Sequence, residues 1–323
     1  MSIINFKQPC RRRVRETRIL TMVLLAAIVA QPGLGKNRLP HANDLFGYDR
    51  NAPFDVKEIS ATESNGVMVK DIEYAGYNSR HPRIKAYLVK PQGAGPFAGV
   101  LFFHWLGNAK SDRTQFLEEA KSLARQGVVS LLIQGFFPWL DQPTKAQADR
   151  QQVIDQTIEV RRGLDLLLSQ PGVDPKRIGY VGHDYGAMFG SIASGVDKRV
   201  KSYVLIAGMG NFGDWSLKYW PVTAAEGAET YRRIMKEVDP IQYISRAAPA
   251  NVLFQFANND KFISKAVAQE FFDAAKQPKR ALWYDTTHEM VIDAALNDRR
   301  EWLTQQLSLS RPTAGSKTSS RGL

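Results

Sequence analysis

Two stretches constrain the fold more than any others: Ala98-Gly99-Val100-Leu101-Phe102-Phe103 and Val128-Val129-Ser130-Leu131-Leu132-Ile133. Neither carries a charge, and both are too short for a buried helix. Such runs fit strands covered on both faces of a sheet. Between them Phe116, Ala120, Leu123 and Ala124 recur at helical spacing, and Gly127 supplies a stop. The alternation continues down the chain. Val160, Leu164, Leu167 and Leu168 line one face of a long helix. Arg177 to Val181 reads as a strand that runs through a tight turn into a small-residue helix, Ala187 to Ser194. Val200 to Ile206, Val252 to Phe256 and Ala281 to Tyr284 are further strands. A helix around Val267 to Phe272 separates the last two, and a final helix runs through Val291 to Leu307. Gly66 to Tyr74 and Ile84 to Val89 add two strands in front. This order predicts an α/β protein: an eight-stranded, mostly parallel sheet with helices on both faces.

The expected organisation is one body over residues 66–307. It is preceded by an extension, 31–65, and followed by a disordered, Ser- and Thr-rich tail, 308–323. The long interruption between strands, 208–243, is aromatic and polar and is expected to form a short helical lid or pocket wall. At the start, a basic segment and the uncharged run Ile19 to Ala30 have the layout of a signal peptide over residues 1–30, which predicts a secreted or periplasmic protein. The apolar run is too short to span a bilayer comfortably, so no stable membrane span is expected after cleavage. The single cysteine, Cys10, lies in that leader. A mature chain would then have no disulfide, no thiolate metal site and no cysteine nucleophile.

The net charge of +11 invites a nucleic-acid reading. Its distribution argues against one. Residues 1–18 hold +5 and residues 309–323 hold +3, leaving the body only mildly basic, with no basic runs interleaved with aromatics. The five histidines lack metal-ligand spacing and no phosphate-cradling loop is present, so neither a metal nor a nucleotide cofactor is expected. The expected partner is a small-molecule substrate.

The chemistry concentrates in Gly182-His183-Asp184-Tyr185-Gly186. Gly-x-nucleophile-x-Gly, after a strand and before a helix, is a nucleophile elbow: the glycines permit the close turn that exposes the middle side chain. Of the five histidines only His288 follows the elbow, in the loop after the last strand, where the base belongs. Asp260 at a strand end is the preferred acid, with Asp214 the second candidate. An oxyanion site would take the backbone N–H of Tyr185 and one from the His104-Trp105-Leu106-Gly107 loop, assigned to Leu106. His104 itself reads as a buried structural histidine.

With these motifs in place, the chain resembles the α/β-hydrolase superfamily over roughly residues 66–307. The lead-in Val173-Asp174-Pro175-Lys176-Arg177-Ile178-Gly179 and Pro249-Ala250-Asn251-Val252 resemble the dienelactone hydrolase and acetyl-xylan-esterase-like branch. That branch carries Ser or Cys at the elbow. The aspartate here makes Gly-His-Asp-aromatic-Gly similar to epoxide hydrolases and haloalkane dehalogenases. The resemblance implies an Asp184–Asp260–His288 triad, with Tyr219 and Tyr231 as acids toward an epoxide oxygen, or Trp105 and Trp215 toward a halide. Trp105, Trp215 and Tyr219 are the expected pocket residues. Three readings stay open: hydrolysis through an ester on Asp184, carboxylesterase-like hydrolysis by water activated at His288, and a hydrolase-like binding protein without catalysis.

Overall fold

The computed structural model describes residues 45–106, 112–137, 145–219 and 227–310. The expected leader, with Cys10, and nearly all of the expected tail lie outside these residues. Nine strands form one sheet in the order β1-β2-β3-β5-β4-β6-β7-β8-β9. They are β1 (Lys57–Ser64), β2 (Val67–Ala75), β3 (Arg83–Pro91), β4 (Phe97–Phe103), β5 (Val128–Ile133), β6 (Val173–His183), β7 (Ser202–Ile206), β8 (Asn251–Ala257) and β9 (Lys279–Tyr284). Strands β1 to β3 pair antiparallel, and β3 pairs antiparallel with β5. From β5 through β4 to β9 every pairing is parallel.

The uncharged runs behave as their composition dictates. Along β4, Leu101 and Phe103 enter the core on one side, while Ala98, Val100 and Phe102 enter the core on the other. Alternation of side chains across a strand makes both faces apolar only when both are covered. Helix α1 (Leu117–Ala124) and the last helix, α8 (Asp293–Gln306), cover one face through Ala120, Leu123 and Leu303. Helices α2 (Ala146–Leu168), α3 (Tyr185–Val196) and α7 (Lys265–Ala274) cover the other through Val153, Leu164, Phe189 and Phe271.

The count of eight strands is corrected to nine by β1. Its sequence, Lys-Glu-Ile-Ser-Ala-Thr-Glu-Ser, is exposed at every position, so no buried face leaves a period-two signal. It pairs with β2 from Lys57 to Ser64, and the sheet therefore begins before residue 66. The preceding segment is also integral. Phe46 is fully buried, and the carbonyls of Ala52 and Pro53 accept hydrogen bonds at 3.2 and 2.8 Å from the buried Arg162 of α2. Within 208–243 lie α4 (Phe212–Tyr219), α5 (Ala228–Met235), a 3₁₀ turn (Lys236–Val238) and the one-turn α6 (Ile241–Ile244). Tyr231 and Met235 of α5 are fully buried, so this helix is a packed element of the core. Among the described residues no helix is long and apolar enough to cross a membrane.

Candidate active site

The site sits at the carboxyl ends of the parallel strands, where open α/β sheets place their ligands. Strand β6 ends at His183 and α3 begins at Tyr185, so Asp184 alone makes the turn, with φ 53° and ψ −113°. Positive φ costs a non-glycine residue of the order of 1–3 kcal/mol and persists only where its surroundings impose it. Here Asp184 N–H donates to the Ile206 carbonyl at 2.8 Å, and Met188 N–H donates to the Asp184 carbonyl at 3.0 Å. The two glycines are dictated by contact. A Cβ on Gly182 would lie 2.3 Å from the Gly186 carbonyl oxygen, and one on Gly186 would lie 2.3 Å from that of Phe103. The close approach at Gly186 brings the elbow against the end of β4.

That approach places the Asp184 carboxylate beneath the loop after β4. Leu106 N–H donates to Asp184 Oδ2 at 3.2 Å. The orientation of this peptide is set from behind. His104 Nδ1 lies 2.8 Å from the Trp105 carbonyl, and Gly135 N–H donates to His104 Nε2 at 2.9 Å. His104 must therefore donate to Trp105 C=O, which turns the amide of the same trans peptide, Leu106 N–H, the opposite way. Burial lowers the His104 pKa to about 4, so the ring is neutral, in the structural role read from the sequence.

Asp184 Oδ1 is buried and has no hydrogen bond. His288 Nε2 is 3.7 Å away, and His288 Nδ1 is 2.8 Å from Asp260 Oδ2. Asp260 Oδ1 accepts from Phe262 and Ile263 N–H at 2.8 and 2.9 Å, which fixes the carboxylate at the end of its loop. Burial pulls the His288 pKa down, but the facing carboxylates of Asp184 and Asp260, the second hydrogen-bonded to Nδ1, outweigh it and raise the value to about 10. In this state His288 is an imidazolium between two carboxylates. Asp214, the second acid candidate, is exposed and ion-paired to Arg232 at 2.6 Å, and it takes no part.

His183 and Gln115 were not identified from the sequence as site residues, yet they tie the parts together. Trp105 N–H donates to Gln115 Oε1 at 2.9 Å, and Gln115 Nε2 lies 2.6 Å from His183 Nδ1. His183 Nε2 lies 2.9 Å from the His288 carbonyl. A backbone N–H can only donate and a carbonyl can only accept, so both ends of this chain fix every orientation between them. Gln115 donates to Nδ1, and His183 donates its Nε2–H. Burial, reinforced by charged His288, holds His183 well below the ordinary histidine pKa and keeps it neutral. Trp105 stacks flat on the ring, with centroids 5.1 Å apart. The signal available in the sequence was the polar residue inside the elbow, but nothing there points to Gln115, 68 positions away.

A cavity of about 240 Å³ opens over Asp184, lined by Trp105, Leu106, Trp215, Tyr219, Phe262, His288 and Glu289. Trp105, Trp215 and Tyr219, the expected pocket residues, lie on this lining together with Phe262 and Glu289. Trp215 Nε1–H donates to Tyr185 Oη at 2.8 Å, and Tyr219 Oη–H donates to the Phe262 carbonyl at 2.9 Å. Neither of these donors points at an incoming leaving group. Tyr231 does not line the cavity. It is buried and donates to Asp149 Oδ2 at 2.8 Å.

No family model and no curated protein matches the sequence. Among solved structures the chain is similar to the acetyl xylan esterase from Paenibacillus sp. R4, at 17% identity and a TM-score of 0.65. That match covers 82% of this chain and 92% of the other. Acetyl xylan esterase 1 from Thermoanaerobacterium sp. JW/SL YS485 matches over the same shares, with 14% identity and a TM-score of 0.64. A cold-adapted esterase from an Arctic intertidal metagenomic library matches at 16% identity and 0.54, over 77% of this chain and 97% of the other. At these identities the likeness is one of architecture: the chain has the α/β-hydrolase fold.

Proposed function

We propose that the chain is a hydrolase in which Asp184 attacks a saturated carbon and His288 releases the resulting ester with water. One observation carries this reading. The two oxygens of the elbow carboxylate are unlike: Oδ2 is held by Leu106 N–H, and Oδ1 has no hydrogen bond and stands 3.7 Å from His288 Nε2. A carboxylate attacking an ester carbonyl gives a mixed anhydride, which is uphill. Attack at a saturated carbon gives an ordinary ester on the enzyme. In the attack Oδ1 forms the new C–O bond and the leaving group departs with the pair of the broken bond. The carbonyl of the new ester is then Asp184 Oδ2, already at the Leu106 donor that stabilises an oxyanion.

The charge on His288 is part of the cycle. While Asp184 is a carboxylate, the imidazole holds a proton. Once Asp184 is esterified, one of the two negative partners is gone and the pKa of His288 falls. The ring can then give up its proton and take one from water, with Asp260 holding Nδ1. Water attacks the ester carbonyl as its proton passes to His288, the departing oxygen takes that proton and leaves as the alcohol, and the acid proton left on Asp184 returns to His288, which restores the carboxylate and the imidazolium.

Single turnover of haloalkane, epoxide and activated-ester panels in ¹⁸O water tests the route. Label is expected in the Asp184 carboxylate, and His288→Gln is expected to accumulate a covalent adduct there, read by intact and peptide mass. Turnover with an unlabelled Asp184 would overturn the assignment in favour of water activated directly by His288.

A further inference from the structure

The walls of the cavity restrict what kind of substrate Asp184 meets. Four aromatic side chains line the cavity that opens over the reacting group. Trp215 and Tyr219 have centroids 4.7 Å apart, Tyr219 and Phe262 5.6 Å, and Trp215 and Phe262 6.3 Å. Trp105 lies 6.2 Å from His288, across from Phe262 at 4.9 Å. Three donors on this wall are already engaged within the protein: Trp215 Nε1–H, Tyr219 Oη–H and Leu106 N–H. The charges are Asp184 and Glu289 on the lining, Asp260 behind His288, and the His288 imidazolium, so carboxylates outnumber the cation. No lysine or arginine lines the cavity among the described residues. Lys218, outside the lining, places Nζ 5.0 Å over the Tyr219 ring and donates to the Phe262 carbonyl at 3.2 Å.

A largely aromatic lining, a surplus of carboxylate and engaged donors suit a small organic cation, and they suit a departing anion poorly. We infer that the substrate class is an onium compound, with a substituted ammonium or sulfonium head seated against the wall formed by Trp105, Trp215, Tyr219 and Phe262. An onium also resolves the leaving-group problem. When Asp184 Oδ1 forms its bond to carbon, the carbon–heteroatom bond breaks and its pair returns to nitrogen or sulfur. The leaving group departs as a neutral amine or thioether and needs no donor. The inference rests on the Asp184 reading for the reacting group, but not for the charge of the ligand.

Calorimetric titration of the full chain with choline and with its carbon isostere, 3,3-dimethyl-1-butanol, separates charge from shape. Choline is expected to bind at least about tenfold more tightly. Phe262→Leu and Glu289→Gln, both at exposed positions, are each expected to weaken choline by about three- to tenfold and to leave the alcohol within about twofold. Equal affinity for the pair, tighter binding of the alcohol or no binding of choline would overturn the inference. The two readings fail separately. Asp184 labelled by a haloalkane, without any choline preference, removes only the onium class. Choline preference with an unlabelled Asp184 removes only the nucleophile.

Discussion

His288 holds its proton because two carboxylates face it, and this has a consequence for stability as well as for turnover. Its folded value near 10 stands above an unfolded value of about 6.5. Folding therefore takes up a proton between these values. The stabilisation is complete below about pH 6.5 and is lost as the pH rises through 10. Urea midpoints of the parent protein are expected to fall between pH 7 and pH 10 more steeply than those of His288→Gln, and parallel curves would contradict the charged pair. Asp184→Asn removes one of the two negative partners of His288, as esterification of Asp184 would on the proposed route. It is expected to bring the His288 imidazole titration down toward neutral in NMR spectra. His183 acts one step further back, as a positioning residue. His183→Phe keeps the stack on Trp105 but leaves the Gln115 amide and the His288 carbonyl without partners. A drop of about 10–100-fold in kcat is expected with KM nearly unchanged, because the base is displaced while the binding wall is not. Partial recovery in His183→Asn, whose amide can accept from one side and donate to the other, would separate this role from simple packing.

At the scale of elements, the elbow is a collision-limited joint. Gly186→Ala would put a methyl 2.3 Å from the Phe103 carbonyl oxygen, and the atoms nearest to it are all backbone. A destabilisation of about 2 kcal/mol or more is expected from chemical denaturation, with loss of activity, since either β4 or α3 must move. How much of the fold could be read in advance follows from which elements are buried. Strands β4 to β9 and the helices between them reveal themselves because apolar runs and 3.6-residue periods report burial. Strand β1 is silent because it buries nothing; it is held by backbone pairing with β2 and by exposed polar contacts of Glu58 with Lys70 and Glu63 with Gln92. That Asp184, Asp260 and His288 come together was legible through order along the chain and position relative to strands. Gln115, Phe262 and Glu289 were not, because their place is decided by tertiary approach of loops that share no motif. Tyr231 looked like an acid because of its type and segment, and only packing shows that its hydroxyl serves Asp149.

For the whole molecule, the segment ahead of β2 closes the structure. Arg162 is 1% exposed, and its guanidinium donates to the carbonyls of Ala75, Ala52 and Pro53 while lying 4.9 Å over the Phe54 ring. A chain begun at residue 66 would leave that charge buried with one of three partners, a loss of about 3–5 kcal/mol by analogy with broken buried pairs. Such a truncation is expected to lack a cooperative thermal transition in calorimetry that the full chain shows. Retention of the transition would mean that the extension is dispensable.

The hydrogen-bonded chain from Trp105 through Gln115 and His183 to His288 joins the loop after β4, the elbow and the loop after β9 into one unit. Three of the residues lining the cavity belong to other segments: Trp215 and Tyr219 on α4, and Phe262 in the loop after β8. Saturation mutagenesis should therefore return a two-part map. Positions 104, 115, 183 and 288 would accept almost nothing, while 215, 219 and 262 would exchange side chains freely when selected on new ligands. The protein is built so that its preference can drift while its reaction stays the same.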